Sequence, residues 1–239
     1  MAVLGGLVLI VLAALLALGT WQVFRLSWKL DLIARVDQRI HAEPVPPPSA
    51  DRWAGIGRDA DEYRRLRVSG TFLHGAEALV QATTAQGPGF WVMTPLRTPS
   101  GETFLINRGF VPSDRRDPAT RSEGQVQGEV VVTGLLRLTE PGGGYLREND
   151  AAADRWYSRE VAAIFAARGL QQPPPFFIDA DATPNPGGLP RGGLTVVRFT
   201  NNHLVYAATW YGLALLLAGA AIWIVRDERR RWLAARQSG

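Results

Sequence analysis

Two uncharged apolar runs, one near each end of the chain, restrict the folds that this sequence can adopt. Residues 2–24 contain no charged side chain, and residues 204–225 contain none either. A helix rises about 1.5 Å per residue, so each run is long enough to cross the roughly 30 Å hydrocarbon core of a bilayer. We therefore predict transmembrane helices over residues 1–24 and 201–225, with a domain outside the membrane between them.

The charges that follow the second run predict its orientation. Residues 226–239 carry five arginines against two acidic residues. Such a basic tail is typical of a cytoplasmic anchor, and a patch for nucleic acid or acidic lipid is the less favoured alternative. Both termini are then cytoplasmic. Arg25 and Lys29 follow the first span on the far side, but long translocated domains largely escape the charge rule.

The first run is interpreted as a membrane anchor rather than a cleaved signal peptide. It is longer than the usual apolar region of a signal peptide, no basic residue precedes it, and Trp21 and Gln22 replace a small-residue cleavage site. We expect a multi-pass protein of a bacterial inner membrane with its domain in the periplasm, because no targeting presequence for a mitochondrion is visible.

The middle of the chain is predicted to be mainly β. An interfacial helix over residues 25–43 and a proline-rich linker over 44–57 lead to a domain over 58–200. Apolar and polar residues alternate over 65–72 as in a half-buried strand. Further strands are predicted over residues 78–83, 90–96, 103–108, 129–138, 176–179 and 194–199, separated by turns at 87–89, 99–101 and 112–114. One helix is predicted from an N-cap at Ser158 to a stop at Gly169.

These elements define the expected fold class. The chain is predicted to be an α+β membrane protein, in which two transmembrane helices flank a mainly antiparallel, barrel-like β domain with one or two helices. It contains no cysteine and only two methionines. Disulfides and thiolate metal sites are therefore excluded, and a methionine-based copper relay is disfavoured.

Little in the sequence indicates catalysis. The three histidines are His41, His74 and His203, and the first two are expected at ordinary surface positions. No nucleophile elbow or phosphate-binding loop is present. Asp179 and Asp181 are expected to face solvent at a strand end. We predict that the protein is not an enzyme and has no nucleic-acid partner.

His203 lies at the mouth of the second span. Asn201 or Asn202 can cap that helix, and Tyr206 and Trp210 then share the face of His203 at i+3 and i+7. An imidazole beside flat aromatic groups at membrane depth suits a porphyrin, with the ring nitrogen bound to iron. The alternative is an ordinary capping-region histidine, and the residues alone leave both interpretations open.

A second aromatic face follows the first span. Trp21, Arg25 and Trp28 fall at i, i+4 and i+7 of one helix. They form either a belt at the lipid headgroups or a partner surface for the His203 site. In the second case Arg25, Lys29 or Arg198 would pair with haem propionates.

Four motifs carry a resemblance that runs from end to end of the chain. They are LGTWQVFRLSWK at residues 18–29, NRGFVP at 107–112, WYSREV at 156–161 and NNHLVYAATW at 201–210. Together and in this order, they resemble the surfeit locus protein 1 family, assembly factors for haem–copper cytochrome c oxidase. Phe110, where tryptophan is common, and Glu160, where aspartate is common, depart from the family pattern.

The resemblance implies a function as well as a topology. It implies maturation of oxidase subunit I, with noncovalent haem a as the cofactor and His203 at the family's histidine. The chain is then expected to receive haem a from its synthase and to present it to subunit I. The alternative is a membrane scaffold that stabilises a subunit I intermediate without haem, in which small residues such as Ala208 and Gly212 favour close helix contacts.

Overall fold

The chain folds into two long terminal helices and a mixed β domain. A computed structural model describes residues 2–144, 147–197 and 199–237. Helix α1 covers Ala2–His41 and helix α4 covers His203–Gln237. Both are long and apolar enough to cross a membrane, and only 6% of each apolar window is buried within the protein. Exposed apolar helices of this length are stable in lipid rather than water, so the two predicted spans are confirmed as candidate membrane helices.

Both helices extend beyond the predicted spans. Helix α1 includes the predicted interfacial segment, and α4 continues through the basic residues after position 225. In that extension Arg231 pairs with Asp227 at 2.8 Å, one turn earlier. The predicted basic tail is therefore helical as far as Gln237.

The contacts divide the chain into two compact units. One unit is Met1–Arg35 with Arg198–Gly239, and the other is Val36–Val197. The second unit contains the short helices α2 (Arg58–Asp61) and α3 (Val161–Ala167). Its six strands are β1 (Arg65–Phe72), β2 (Ala78–Thr84), β3 (Gly87–Arg97), β4 (Thr103–Pro112), β5 (Glu129–Leu138) and β6 (Phe176–Ala180).

The strands pair in the order β1-β5-β6-β4-β3-β2, and β1 also pairs with β3. This extra pairing, Thr71 with Arg97 and Phe72 with Leu96, joins five strands into a closed ring of pairings. All pairs are antiparallel except β4 with β6. The predicted α+β class with a barrel-like, mainly antiparallel domain is confirmed.

Two apolar clusters form the core of the β domain. One joins α3 to β2, β3 and β4 around the buried indole of Trp156. The other fills the opposite side of the sheet with side chains of β1, β4, β5 and β6. Trp53, from the segment predicted as a linker, packs on this second cluster, and its Nε1 donates to the Pro48 carbonyl at 2.9 Å. The linker is therefore held against the sheet rather than separated from it.

Three local predictions are wrong in detail. Residues 194–197 form no strand, although one was predicted over residues 194–199. The turn before β3 lies at residues 85–86, and Gly87 already pairs with Thr84. Glu160, not Ser158, is the N-cap of α3, because the Ser158 hydroxyl accepts from Gly143 N at 3.1 Å instead.

Candidate functional site

The imidazole of His203 is bonded to a side chain of the other long helix. Its Nδ1 lies 2.7 Å from Oε1 of Gln22, whose side chain is buried. His203 is the first residue of α4, and its backbone amide lies 3.4 Å from Oδ1 of Asn201, in agreement with the predicted cap. The two apolar ends of the sequence thus meet at a polar contact.

This contact defines the chemistry that the imidazole can offer. An amide oxygen only accepts hydrogen bonds, so Nδ1 of His203 carries the hydrogen, and in the neutral imidazole the lone pair is then on Nε2. Nε2 makes no hydrogen bond within the described parts of the chain. A histidine whose Nδ1–H is held by a neighbouring acceptor and whose Nε2 is free has the arrangement of a metal-ligating imidazole.

Two residues of α1 and one of α4 form a further contact between these helices. The ring of Tyr211 lies so close to Gly19 that an added Cβ would be 2.9 Å from it. The hydroxyl of Tyr211 is 3.0 Å from Oγ1 of Thr20. A larger side chain at position 19 would displace the tyrosine, so Gly19 fixes how closely α4 approaches α1 there.

Helix α4 presents one face to this contact. Its buried and half-buried positions include His203, Ala207, Trp210 and Tyr211, at the spacing of a single helical face. Nε1 of Trp210 is buried and has no acceptor among the described residues. Tyr206, predicted to share this face, is instead mostly exposed. Trp210 therefore lies on the side of α4 that faces α1, as predicted, and Tyr206 does not.

The predicted aromatic face of α1 is only partly assembled. The Arg25 guanidinium stacks on the Trp28 ring at 4.4 Å, and Lys29 Nζ lies 5.0 Å above the ring of Phe199. Trp21 and Trp28 expose about half of their surfaces, 53% and 47%. Arg198 lies outside the described residues.

The two predicted halves of the site are joined by a residue that was not predicted. No hydrogen bond, ion pair or ring contact in the described structure connects Trp21, Arg25 or Trp28 with His203 or Trp210. Gln22 makes the connection instead. It is the one amide side chain in the uncharged run of residues 2–24, three residues after Gly19, and this position is the signal that would have identified it.

The other two histidines have different environments. His41 is exposed, as predicted, and its Nδ1 lies 2.9 Å from the Asp37 carbonyl. His74 is half-buried, so the prediction of an ordinary surface position is wrong for it. Its Nε2 lies 2.8 Å from the Val126 carbonyl and its ring packs 5.5 Å from Phe72.

A second polar cluster, the Asp179 cluster, lies in the β domain. Asp179 is buried, with 3% exposure, so the prediction that it faces solvent is wrong. Its Oδ1 accepts from Asn107 Nδ2 at 2.8 Å and Arg159 Nη1 at 3.2 Å. Its Oδ2 accepts from Thr195 Oγ1 at 2.9 Å and Arg137 Nη1 at 3.3 Å. Local sequence patterns do not reveal this cluster, because its members come from five separate segments.

The charges of this cluster are paired. Arg159 also bonds Glu140 at 2.6 Å, and Arg137 lies 3.4 Å from Glu62. Burial alone would lower the pKa of Arg159, but its hydrogen bond with Glu140 and the charge of Asp179 raise the pKa overall. The cluster borders a cavity of about 240 Å³. With each charge matched, its arrangement is that of a structural network rather than of an acid–base pair.

The described residues offer no cluster of metal-binding side chains. Among them no three His, Cys, Asp or Glu side chains are grouped so as to hold one metal ion. A porphyrin needs fewer protein ligands than such an ion, because a single axial imidazole and an apolar surface can hold it. Nε2 of His203 and the unpaired indole N–H of Trp210 fit such a group.

Comparisons with known proteins agree with the motifs. The model of the SURF1 family matches residues 9–215. Surfeit locus protein 1 of Rattus norvegicus is 38% identical over 234 residues, which cover 91% of this chain and 74% of the relative. That of Homo sapiens is 39% identical over 214 residues, covering 82% and 69%. That of Takifugu rubripes is 35% identical over 222 residues, covering 86% and 90%. The family match covers most of the chain and includes the Gln22–His203 contact, so this chain belongs to the SURF1 family.

Proposed function

We propose that this protein is an assembly factor of cytochrome c oxidase that binds haem a and assists its insertion into subunit I. The observation that carries the proposal is the hydrogen bond between Gln22 and Nδ1 of His203, which leaves Nε2 available to iron. Haem a is the cargo in this proposal, received from its synthase and passed to subunit I.

The residues of the helix ends have distinct roles in this proposal. Gln22 holds His203 in one tautomer and one orientation, so that no reorganisation is needed when iron binds. Trp210 offers its buried N–H to a polar substituent of the porphyrin. Arg25 and Lys29 supply the cations for the propionates. Trp21, Trp28 and Tyr206 add exposed aromatic surface beside the porphyrin, with Tyr206 on a side of α4 that does not face α1.

We propose further that the protein resides in a bacterial inner membrane, with both termini in the cytoplasm and residues 36–197 in the periplasm. The arginines after position 225 support this orientation through their preference for the cytoplasmic side.

The natural absence of cysteine makes the orientation testable. Ser100 is exposed in the turn before β4, and we expect Ser100→Cys to react with a membrane-impermeant maleimide applied to spheroplasts. A second variant, Ser238→Cys, serves as the control and should react only after lysis. Labelling of position 238 but not position 100 in intact spheroplasts would reverse the proposed orientation.

Haem binding is tested by co-expression with the enzymes of haem a synthesis, followed by purification and absorption spectroscopy. Wild type is expected to carry haem a, and His203→Ala is expected to lose it. Gln22→Leu removes the acceptor while keeping the size of the side chain, and loss of such a supporting bond weakens metal binding by about 10- to 100-fold. We expect partial occupancy and a shifted spectrum for that variant.

His41→Ala is the matched control, since His41 is the exposed histidine of α1. Its haem content should equal that of wild type. A wild-type preparation free of haem a would refute the cargo proposal and leave the scaffold role. Haem that survives His203→Ala with an unchanged spectrum would refute the ligand assignment alone.

A further inference from the structure

Arg108, in β4, is a buried cation whose hydrogen bonds are incomplete. Only 2% of its surface is exposed. Its Nη2 donates to the Gly124 carbonyl and to Oδ1 of Asn185, the latter at 3.2 Å. Nε and Nη1 are buried and have no acceptor among the described residues. A buried guanidinium with two open nitrogens is costly unless something else accepts from it.

No carboxylate of the described structure neutralises this arginine through an ion pair. Glu77, the acidic residue whose charge acts on it, is itself paired with Arg121, whose Nη1 lies 3.3 Å from Glu77 Oε2. Burial, offset only in part by the charge of Glu77, lowers the pKa of Arg108 to about 10. The guanidinium remains protonated at neutral pH and lies 4.6 Å above the ring of Phe72.

Arg108 borders a cavity of about 190 Å³. Apolar side chains form part of its wall: β5 contributes Val130, Val131 and Val132, and Val126 lies just before that strand. The volume is below the roughly 300 Å³ at which pockets for drug-sized ligands begin. Its occupant must therefore be small, with an apolar part and an anionic part.

One acidic residue also belongs to the wall. Asp181 is half-buried, and its Oδ1 accepts from the backbone N–H of Thr183 at 3.0 Å. A negative charge on the wall disfavours an occupant with two negative charges, such as a phosphate or a dicarboxylate. It leaves room for a single negative charge placed at the guanidinium.

We propose that this cavity binds a small aliphatic monocarboxylate. The carboxylate accepts from the open Nε–H group of Arg108, and its short hydrocarbon chain packs on Val130 and Val132. A carboxylate satisfies a guanidinium through charge-assisted hydrogen bonds, which are about twice as strong as neutral ones. Asp181 selects the monoanion. This site lies in the β domain and is independent of haem binding by His203.

The probe that tests this site is butyrate, with butyramide as the uncharged molecule of nearly the same shape. The full-length protein in nanodiscs, with ¹⁵N-labelled arginine, is titrated with each at constant ionic strength. We expect butyrate to shift the Nε–H resonance of Arg108 in a saturable way and butyramide to leave it unchanged. Arg121 is the internal control, because it is equally buried but its Nε already donates to the Arg115 carbonyl at 3.2 Å.

A variant of the wall provides the second test. Asp181→Asn keeps the size of the side chain and removes one partly exposed charge, so it should tighten butyrate binding by about three- to tenfold. The affinity of the same variant for succinate, which carries two negative charges, should rise by a larger factor than its affinity for butyrate. The Arg108 resonance is assigned as the one that disappears in Arg108→Lys. If this variant does not fold, the resonance is assigned by sequential assignment of the wild type.

Thermal unfolding supplies a readout that does not depend on assignment. A ligand of the folded state raises the unfolding temperature progressively with its concentration. Butyrate should therefore stabilise the protein more than butyramide does. Equal responses to both molecules, in wild type and in Asp181→Asn, would overturn the proposal and show that water alone solvates Arg108.

Discussion

Replacing Asp179 with alanine is expected to lower the free energy of unfolding of the β domain by about 3–5 kcal/mol, the usual cost of breaking a buried ion pair from one side. The carboxylate accepts four hydrogen bonds, from side chains of β4, β5, the segment before α3 and the segment after β6. Alanine leaves the Asn107 amide without its acceptor and leaves Arg137 and Arg159 with fewer negative charges beside them. Urea denaturation in detergent, followed by tryptophan fluorescence, measures the loss.

Asp181→Ala is the matched control for this prediction. Asp181 follows two residues later, is half-buried, and accepts from the Thr183 backbone. Loss of this carboxylate should lower the free energy of unfolding by about 1 kcal/mol, the net contribution of one such hydrogen bond. If both variants lost the same amount, the Asp179 cluster would not be a buried network, and Glu62 and Glu140 alone would suffice to neutralise the two arginines.

Gly109→Ala is expected to lower the free energy of unfolding by about 3–5 kcal/mol, through strain of about 1–3 kcal/mol and overpacking of similar size. Gly109 has φ of +124°, a conformation that side chains disfavour. An added Cβ would lie 2.0 Å from the Arg191 carbonyl oxygen. That carbonyl accepts from Phe110 N at 2.8 Å, so the clash would separate the segment after β6 from β4.

Gly101→Ala distinguishes the two causes. Gly101 also has a positive φ, +92°, but nothing lies within 4 Å of its added Cβ. Gly101→Ala should lower the free energy of unfolding only by the conformational strain, about 1–2 kcal/mol. Denaturation of both variants under the same conditions separates strain from collision. A Gly109→Ala protein as stable as Gly101→Ala would mean that the Arg191 segment moves away at no cost.

The secondary structure was predictable because it follows local patterns. Five of the six strands were predicted to within a few residues, and alternation over β1 gave the sixth. The strand predicted over 194–199 is absent from residues 194–197, where Thr195 uses its hydroxyl to bond Asp179.

The candidate site was predictable only in part because its contacts are long-range. His203 was identified from its place at the mouth of a span, but its partner Gln22 lies 181 residues away in sequence. Gln22 is adjacent to Trp21, and neighbours on a helix differ by about 100° in direction, so the aromatic face and the buried face diverge. The Asn107–Asp179 bond spans 72 residues and depends on the parallel β4–β6 pair, which no local pattern reveals.

The closed ring of strand pairings determines how the β domain can meet other proteins. Strands β3, β4, β5 and β6 each have a strand neighbour on both sides, and β1 is covered by β5, by the end of β3 and by Val45. Strand β2 pairs only with β3, and Trp156 bridges to its middle at Val80. Among the described residues there is thus little free strand edge for a partner to extend by backbone pairing. Recognition by this domain must rest on side chains, and the same closure protects it from edge-to-edge aggregation.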